Sequence, residues 1–271
     1  MEYLEEMFSL TGRTAVVSGG AGAIGTVMSD ALLRAGANVV VWSRTDKSLE
    51  HFLKRYRDND DLSTRLSTAV VDAGDEDDVE RALSAATEHF TMPEILVNGV
   101  GGNRGKRSFI DIEIKEFTEV VNLNLIAGLV VPTKVFCRHW IERSVPGSII
   151  NLTSMTSYTP LSGVWAYDAA KSAVLNLTMA AANEFAAHHI RVNAIAPGFF
   201  LGKQNKSLLI DKKSGDYTER GRAVINRTPF KRFGAVQELA GATVFLANNK
   251  ASGFITGVSI PVDGGYLIHN I

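Results

Sequence analysis

TAVVSGGAGAIG, residues 14–25, opens as an apolar, β-branched run bounded by Ser and Gly, which reads as a buried strand. It passes directly into IGTVMSDALLRAG, whose apolar residues recur at helical spacing. Glycines in a turn of this kind, SGGAGAIG at 18–25, let backbone N–H groups approach a pyrophosphate resting on the positive end of the helix. Tight strand-to-helix turns need glycine in any case, so the turn alone is weak. Its place after the first strand of a βαβ unit is what points to a dinucleotide.

Working outward, short Val- and Ile-rich runs recur: ANVVVWS (37–43), STAVVDA (67–73), EILVNGV (94–100), GSIINLTS (147–154), IRVNAIAP (190–197) and VSIPVDGG (258–265). Segments with helical periodicity, such as DDVERALSAATEHF, lie between them. The alternation predicts an α/β fold: one doubly wound domain over residues 1–271, with a mostly parallel seven-stranded sheet and helices on both faces. The one interruption is the long, polar, charged stretch 199–232, which reads as a lid or substrate loop.

The bulk numbers exclude some classes. A 271-residue chain with 45% hydrophobic and 21% charged residues has ample material for a core. Its net charge of -1 gives no electrostatic case for nucleic acid or an anionic membrane as partner. No apolar run read from the sequence approaches the roughly 18 residues of a membrane span. The acidic start, MEYLEEMFSL, lacks the layout of a signal peptide. The single cysteine, Cys137, reads as buried and inert in a helix, and the six histidines show no metal-ligand spacing. These features predict a cytoplasmic protein without a structural metal.

WAYDAAKSA, residues 165–173, carries the chemistry. Tyr167 and Lys171 are spaced i,i+4, which stacks them on one helix face among alanines. A carbonyl reduced by hydride needs a proton donor, and the reverse oxidation needs an acceptor. A phenol titrating near ~10 serves at neutral pH only if its anion is stabilised, and a neighbouring ammonium does that. The small residues leave room for cofactor and substrate.

With these residues in view, the chain resembles the short-chain dehydrogenase/reductase family over nearly its whole length. The family's Gly-x-x-x-Gly-x-Gly turn is matched by Gly19, Ala23 and Gly25, with alanine replacing the middle glycine and Gly22 and Ile24 between. The resemblance implies a catalytic set of Ser154, thirteen residues before Tyr167, with Tyr167, Lys171 and Asn124. Ser154 would bond the reacting oxygen, and Asn124 would hold a water in the proton relay, with Asn122 its rival. It further implies cofactor contacts from Asp72, Asn98, Gly99, Pro197, Gly198 and Phe200, besides Tyr167 and Lys171. Where the family usually has a Thr that bonds the nicotinamide carboxamide, this chain has Gly202. At the end of the second strand, Ser43 takes the family's acidic position and Arg44 follows. A hydroxyl and a guanidinium suit a phosphate monoester, favouring NADP(H), with NAD(H) as the alternative.

NGVGGNRGKRS (98–108) and PGFFLGKQN (197–205) are similar to the D-mannonate oxidoreductase, or fructuronate reductase, subgroup. That resemblance implies a sugar-acid substrate contacted by Asn103, Arg104, Trp165, Gln204 and Asn205, with Lys106 and Arg107 adding positive charge for its carboxylate. Other polyol, ketogluconate or 3-oxoacyl substrates stay open, as does a nucleotide-sensing protein without turnover. The helices carrying Asn124 and Tyr167 resemble those that pair across subunits in the family, implying a homotetramer or homodimer.

Overall fold

The apolar runs become seven strands: β1 (Thr14–Ser18), β2 (Asn38–Ser43), β3 (Leu66–Val70), β4 (Ile95–Asn98), β5 (Ser148–Leu152), β6 (Arg191–Pro197) and β7 (Ser259–Val262). The computed structural model describes residues 2–57, 59–161, 163–202, 209–211 and 214–270. Gln204 and Asn205, expected to meet substrate, therefore lie outside the described residues. All seven strands pair in parallel, in the order β3-β2-β1-β4-β5-β6-β7. The direction of winding reverses between β1 and β4, which opens a crevice beyond the carboxyl ends of those strands.

The helices preceding and flanking this crevice are α1 (Glu2–Phe8), α2 (Ala23–Arg34), α3 (Asp46–Leu53), α4 (Asp60–Thr64), α5 (Glu76–His89), α6 (Ile114–Val121), α7 (Val131–Arg143) and α8 (Trp165–Phe185). Alternate residues of each strand enter opposite halves of the core. Ala15, Val17, Val39, Val41, Ile95 and Val97 pack with Met28 and Leu32 of α2. Val16, Val40, Trp42 and Leu96 pack with Leu83 of α5 and Phe136 and Trp140 of α7. Because both faces are covered, the strands read as continuous apolar runs rather than alternating ones.

A π-helical stretch, Asn122–Val130, joins α6 to α7, so that Ile114–Arg143 is one 30-residue helix. Its length and a mean hydropathy of 1.7 match a membrane span by composition, although 61% of that apolar window is buried inside the domain. Its apolarity is accounted for by packing against α8 and the sheet. Charged residues at both ends, Glu116, Glu119, Lys134 and Arg138, had broken the run in the sequence.

An aromatic ladder fixes α7 to the sheet. Phe136 meets Trp42 edge-on at 5.8 Å and Trp140 at 5.4 Å between ring centroids. The Trp140 Nε1–H donates to the Pro93 carbonyl at 2.7 Å. Trp140 is fully buried, so Trp140→Ala is expected to lower unfolding free energy by about 3–5 kcal/mol in urea titrations. A loss under ~1 kcal/mol would mean the ladder does not hold this face together.

Candidate active site

Two connected lobes occupy the crevice, one of about 460 Å³ and one of about 620 Å³. Gly19, Gly22, Ala23, Gly99, Gly101 and Gly202 line both. The backbone of the β1–α2 turn comes so close to its neighbours that side chains are excluded. Gly19 adopts φ +67°, and a Cβ there would sit 2.8 Å from the Gly99 carbonyl. A Cβ on Gly25 would meet the Gly19 oxygen at 2.3 Å. Ala23 opens α2, where its methyl fits. Gly22 caps α2 without a side-chain hydrogen bond, so the first-turn N–H groups face the cleft uncapped. Such a cradle fits the pyrophosphate of a dinucleotide.

Ser154, Tyr167 and Lys171 come together on the wall of the 460 Å³ lobe, with Ile24, Gly25, Pro197, Gly198 and Phe200. Ser154 follows β5 in extended conformation, and its Oγ accepts from the Thr156 N–H at 3.2 Å. Lys171 is buried, its Nζ donates to the Leu152 carbonyl at 2.7 Å, and it lies 5.7 Å from the Tyr167 ring centroid. Burial pulls the Lys171 ammonium down to about 8. The phenol differs from the expectation that Lys171 lowers its pKa. Burial pushes Tyr167 above its usual value, a hydrogen bond with Ser154 opposes that shift, and Asp168 adds to it. Desolvation of the phenolate outweighs the Ser154 hydrogen bond in this pocket.

Asn124 is fully buried beside this group, whereas its rival Asn122 is exposed. Its side chain is committed to backbone: Oδ1 accepts from Gly102 N–H at 3.0 Å, and Nδ2 donates to the Gly102 and Val120 carbonyls at 2.7 and 2.8 Å. The side chain therefore clamps the loop after β4. Asn98 also turns away from the cleft, donating to Thr133 Oγ1 and Asn151 Oδ1 inside the core. Gly99 lines the cleft instead. Asp72 is exposed, with its carboxylate accepting from the Gly74 N–H, and its neighbours Val71 and Ala73 line the larger lobe in its place.

The 620 Å³ lobe gathers Ser43, Arg44, Thr45, Ser48, His51 and Arg55. Neither the Arg44 nor the Arg55 side chain makes an ion pair or hydrogen bond among the described residues, and no Asp or Glu among them lines this lobe. Arg55 escaped the sequence reading. It sits seven residues past Ser48 and four past His51, an i, i+3, i+7 spacing that continues the face of α3 just past the end of that helix.

The expected substrate set is only partly assembled. Asn103 lines the 460 Å³ lobe, but Arg104 and Trp165 line a small recess against α6. Arg104 pairs with Glu119, and Arg107 donates to both oxygens of Glu116 at 2.9 and 2.8 Å. The Trp165 Nε1–H donates to the Arg107 carbonyl, and its ring meets Phe109. Glutamates one helical turn apart on α6 thus engage Arg104 and Arg107, two of the three cations in the run that suggests a carboxylate grip. Besides Lys171, the cation that lines this lobe is Arg220, which carries no signal in the sequence.

A phenol beside a buried lysine on the wall of a glycine-cradled cleft fits a class of oxidoreductases that pass hydride between a dinucleotide and a carbonyl or alcohol. The chain belongs to the short-chain dehydrogenase/reductase family. Residues 19–267 match the family profile described as Enoyl-(Acyl carrier protein) reductase. The chain is 37% identical to the Bacillus subtilis (strain 168) oxidoreductase UxuB, itself described as uncharacterized, over 97% of both chains. A Haemophilus influenzae protein assigned as a D-mannonate oxidoreductase, solved with NAD, superposes with a TM-score of 0.88 at 28% identity, covering 98% of this chain and 99% of that one. The Burkholderia cenocepacia gluconate 5-dehydrogenase, solved with NADP and tartrate, gives 0.86 at 30% identity, covering 99% and 100%.

The depressed Lys171 pKa has a stability consequence. Folded Lys171 carries the cost of a buried charge below pH about 8, and the cost is relieved as pH rises toward 10.5, where the unfolded lysine also loses its proton. Lys171→Met is therefore expected to be more stable than wild type at neutral pH, with the gain shrinking through that window. Urea midpoints measured across it check this, and a gain that stays constant would show that Lys171 does not titrate there.

Proposed function

We propose that this protein is an NADPH-preferring reductase of a sugar-acid ketone, interconverting D-fructuronate and D-mannonate. The observation that carries the reading is the joining of Ser154, Tyr167 and Lys171 to a glycine-cradled lobe in one continuous cleft. Gly19, Gly22, Ala23 and Gly25 would hold the pyrophosphate. Arg44 and Arg55, with Ser43, would hold a 2′-phosphate, and the absence of a lining carboxylate in that lobe supports NADP(H) over NAD(H).

A bound nicotinamide supplies the hydride for reduction and accepts it in reverse. Ser154 Oγ–H bonds the substrate oxygen and orients the carbonyl. The Tyr167 phenol gives its proton to that oxygen as negative charge develops there, and the phenolate regains one from solvent. Lys171, anchored by the Leu152 carbonyl, places its ammonium beside the ring and offsets the phenolate charge. Since Tyr167 is held above its usual pKa, it remains protonated and ready as an acid at neutral pH, and oxidation should accelerate as pH rises.

A second reading, reduction of 5-keto-D-gluconate, is favoured by the 30% identity with a gluconate 5-dehydrogenase. The stretch 199–232 would act as a lid over either substrate. Exposed Ile114, Ile126 and Met179 on the packed α6 and α8 region support self-association as a homotetramer or homodimer, which light scattering would test.

Initial rates of NADPH and NADH oxidation with D-fructuronate, 5-keto-D-gluconate and an acetoacetyl thioester separate these readings. The highest rate is expected with D-fructuronate and NADPH. A highest rate with the thioester would discard the sugar-acid reading while keeping the chemistry. Tyr167→Phe should lower kcat by roughly 10²–10⁴-fold with NADPH affinity nearly unchanged. Arg44→Ala and Arg55→Ala should each raise the Kd of NADPH by about tenfold and leave that of NADH alone, as fluorescence titration would record.

A further inference from the structure

We propose that Arg220 is the carboxylate-binding group of the catalytic lobe and sets its preference for acidic substrates. The proposal rests on the sugar-acid reading of that same lobe and gives it a specific residue. Arg220 belongs to the first turn of the helix Glu219–Arg227 and lines the cavity that also holds Ser154, Tyr167 and Lys171. It has no ion pair or hydrogen bond among the described residues.

Its neighbours on the helix are all engaged. Arg222 donates to the Tyr217 carbonyl at 2.6 Å, and Arg227 lies 4.5 Å over the Tyr266 ring. The helix is docked, because Val224 is buried with Leu209 and Phe233, and a Cβ on Gly221 would meet the Leu209 carbonyl at 2.1 Å. Arg220, Val224 and Arg227 share the i, i+4, i+7 face that looks into the fold. Arg220 is thus held toward the cleft by packing.

Glu219 shares the first turn of the helix but does not line the lobe. A cation in the first turn of a helix faces the positive end of the helix dipole, so this placement costs stability unless an anion meets it. Among the described residues, no Asp or Glu lines the lobe to do so. The other cation there, Lys171, is buried and tied to the Leu152 carbonyl. A substrate whose carboxylate lies away from its reacting carbonyl would supply the missing anion, and a guanidinium can take it with two parallel hydrogen bonds. Arg104 and Arg107, engaged by Glu119 and Glu116, are not available for that role.

The test compares wild type, Arg220→Ala and Arg220→Lys, each loaded with NADP+, by calorimetric titration with D-gluconate and with its neutral counterpart D-glucitol. Arg220→Ala is expected to weaken D-gluconate by about tenfold or more, with Arg220→Lys intermediate and D-glucitol unchanged. The Kd of NADPH should stay the same in all three. Equal losses for D-gluconate and D-glucitol, or a loss confined to NADPH, would overturn the assignment, the latter placing Arg220 on the cofactor. If wild type neither binds D-gluconate nor reduces any sugar acid, the proposed function falls, and tartrate and acetoacetate take over as probes. Selective weakening of either by Arg220→Ala would then uphold Arg220 as a carboxylate site, and no weakening of any carboxylate would overturn it.

Discussion

The hydrogen bond from Lys171 Nζ to the Leu152 carbonyl is the contact on which the rest of the site depends. It ties α8 to the carboxyl end of β5, the strand that delivers Ser154. A second bond, from the Ser157 hydroxyl to the Lys171 carbonyl at 2.7 Å, fastens the turn after Ser154 to the same residue. The buried Asp168 carboxylate accepts from the Leu161 N–H and holds the far end of that segment. Ser154, Tyr167 and Lys171 are therefore positioned as one piece rather than as three independent side chains. A buried ammonium without a partner would be strongly destabilising, so the Leu152 carbonyl is both support and structural requirement.

The same ammonium sets the shape of the loop after β4. A Cβ on Gly101 would lie 3.2 Å from Lys171 Nζ and 2.7 Å from Asn124 Oδ1, so that loop passes only without a side chain. Asn124 clamps it through Gly102, and the Val120 carbonyl that Asn124 also bonds lies just before the π-helical stretch. The Val120 carbonyl thus steadies a side chain at the site from the last turn of α6. Gly128, on the same stretch, admits the Val100 carbonyl where a Cβ would be only 2.7 Å away. A helix that reads as merely apolar is in fact the backing plate of the cleft.

The fold was legible because its signals are local. Val- and Ile-rich runs and the turn at 18–25 identify the seven strands, the parallel sheet and the cradle without any long-range information. Ser154, Tyr167 and Lys171 were legible for a related reason, since i,i+4 spacing on one helix and a fixed strand end bring them together. The basic run at 104–107 misled because its neutralisers, Glu116 and Glu119, come from another element. Asn98 and Asp72 occupy recognisable positions, yet only packing decides that one points into the core and the other into its own turn. Arg55 and Arg220 were missed because a lone arginine in sequence carries no sign of whether a carboxylate will reach it.

Charge distribution, rather than net charge, is what the cleft turns to use. A sum of -1 argues against polyanionic partners but says nothing about small anions. Many of the chain's arginines are cancelled by carboxylates at the surface, as Arg13, Arg65, Arg138 and Arg232 are. Among the described residues, Arg44, Arg55 and Arg220 are left without such partners, and no acidic side chain lines either lobe. Low-dielectric walls bearing uncancelled charge of one sign focus potential into a cleft, raising the local concentration of anions there. An almost neutral protein can thus hold two positive lobes facing each other across a glycine cradle. That arrangement suits a phosphorylated dinucleotide entering one side and an acid entering the other, with surface ion pairs keeping the remaining exterior unattractive to either.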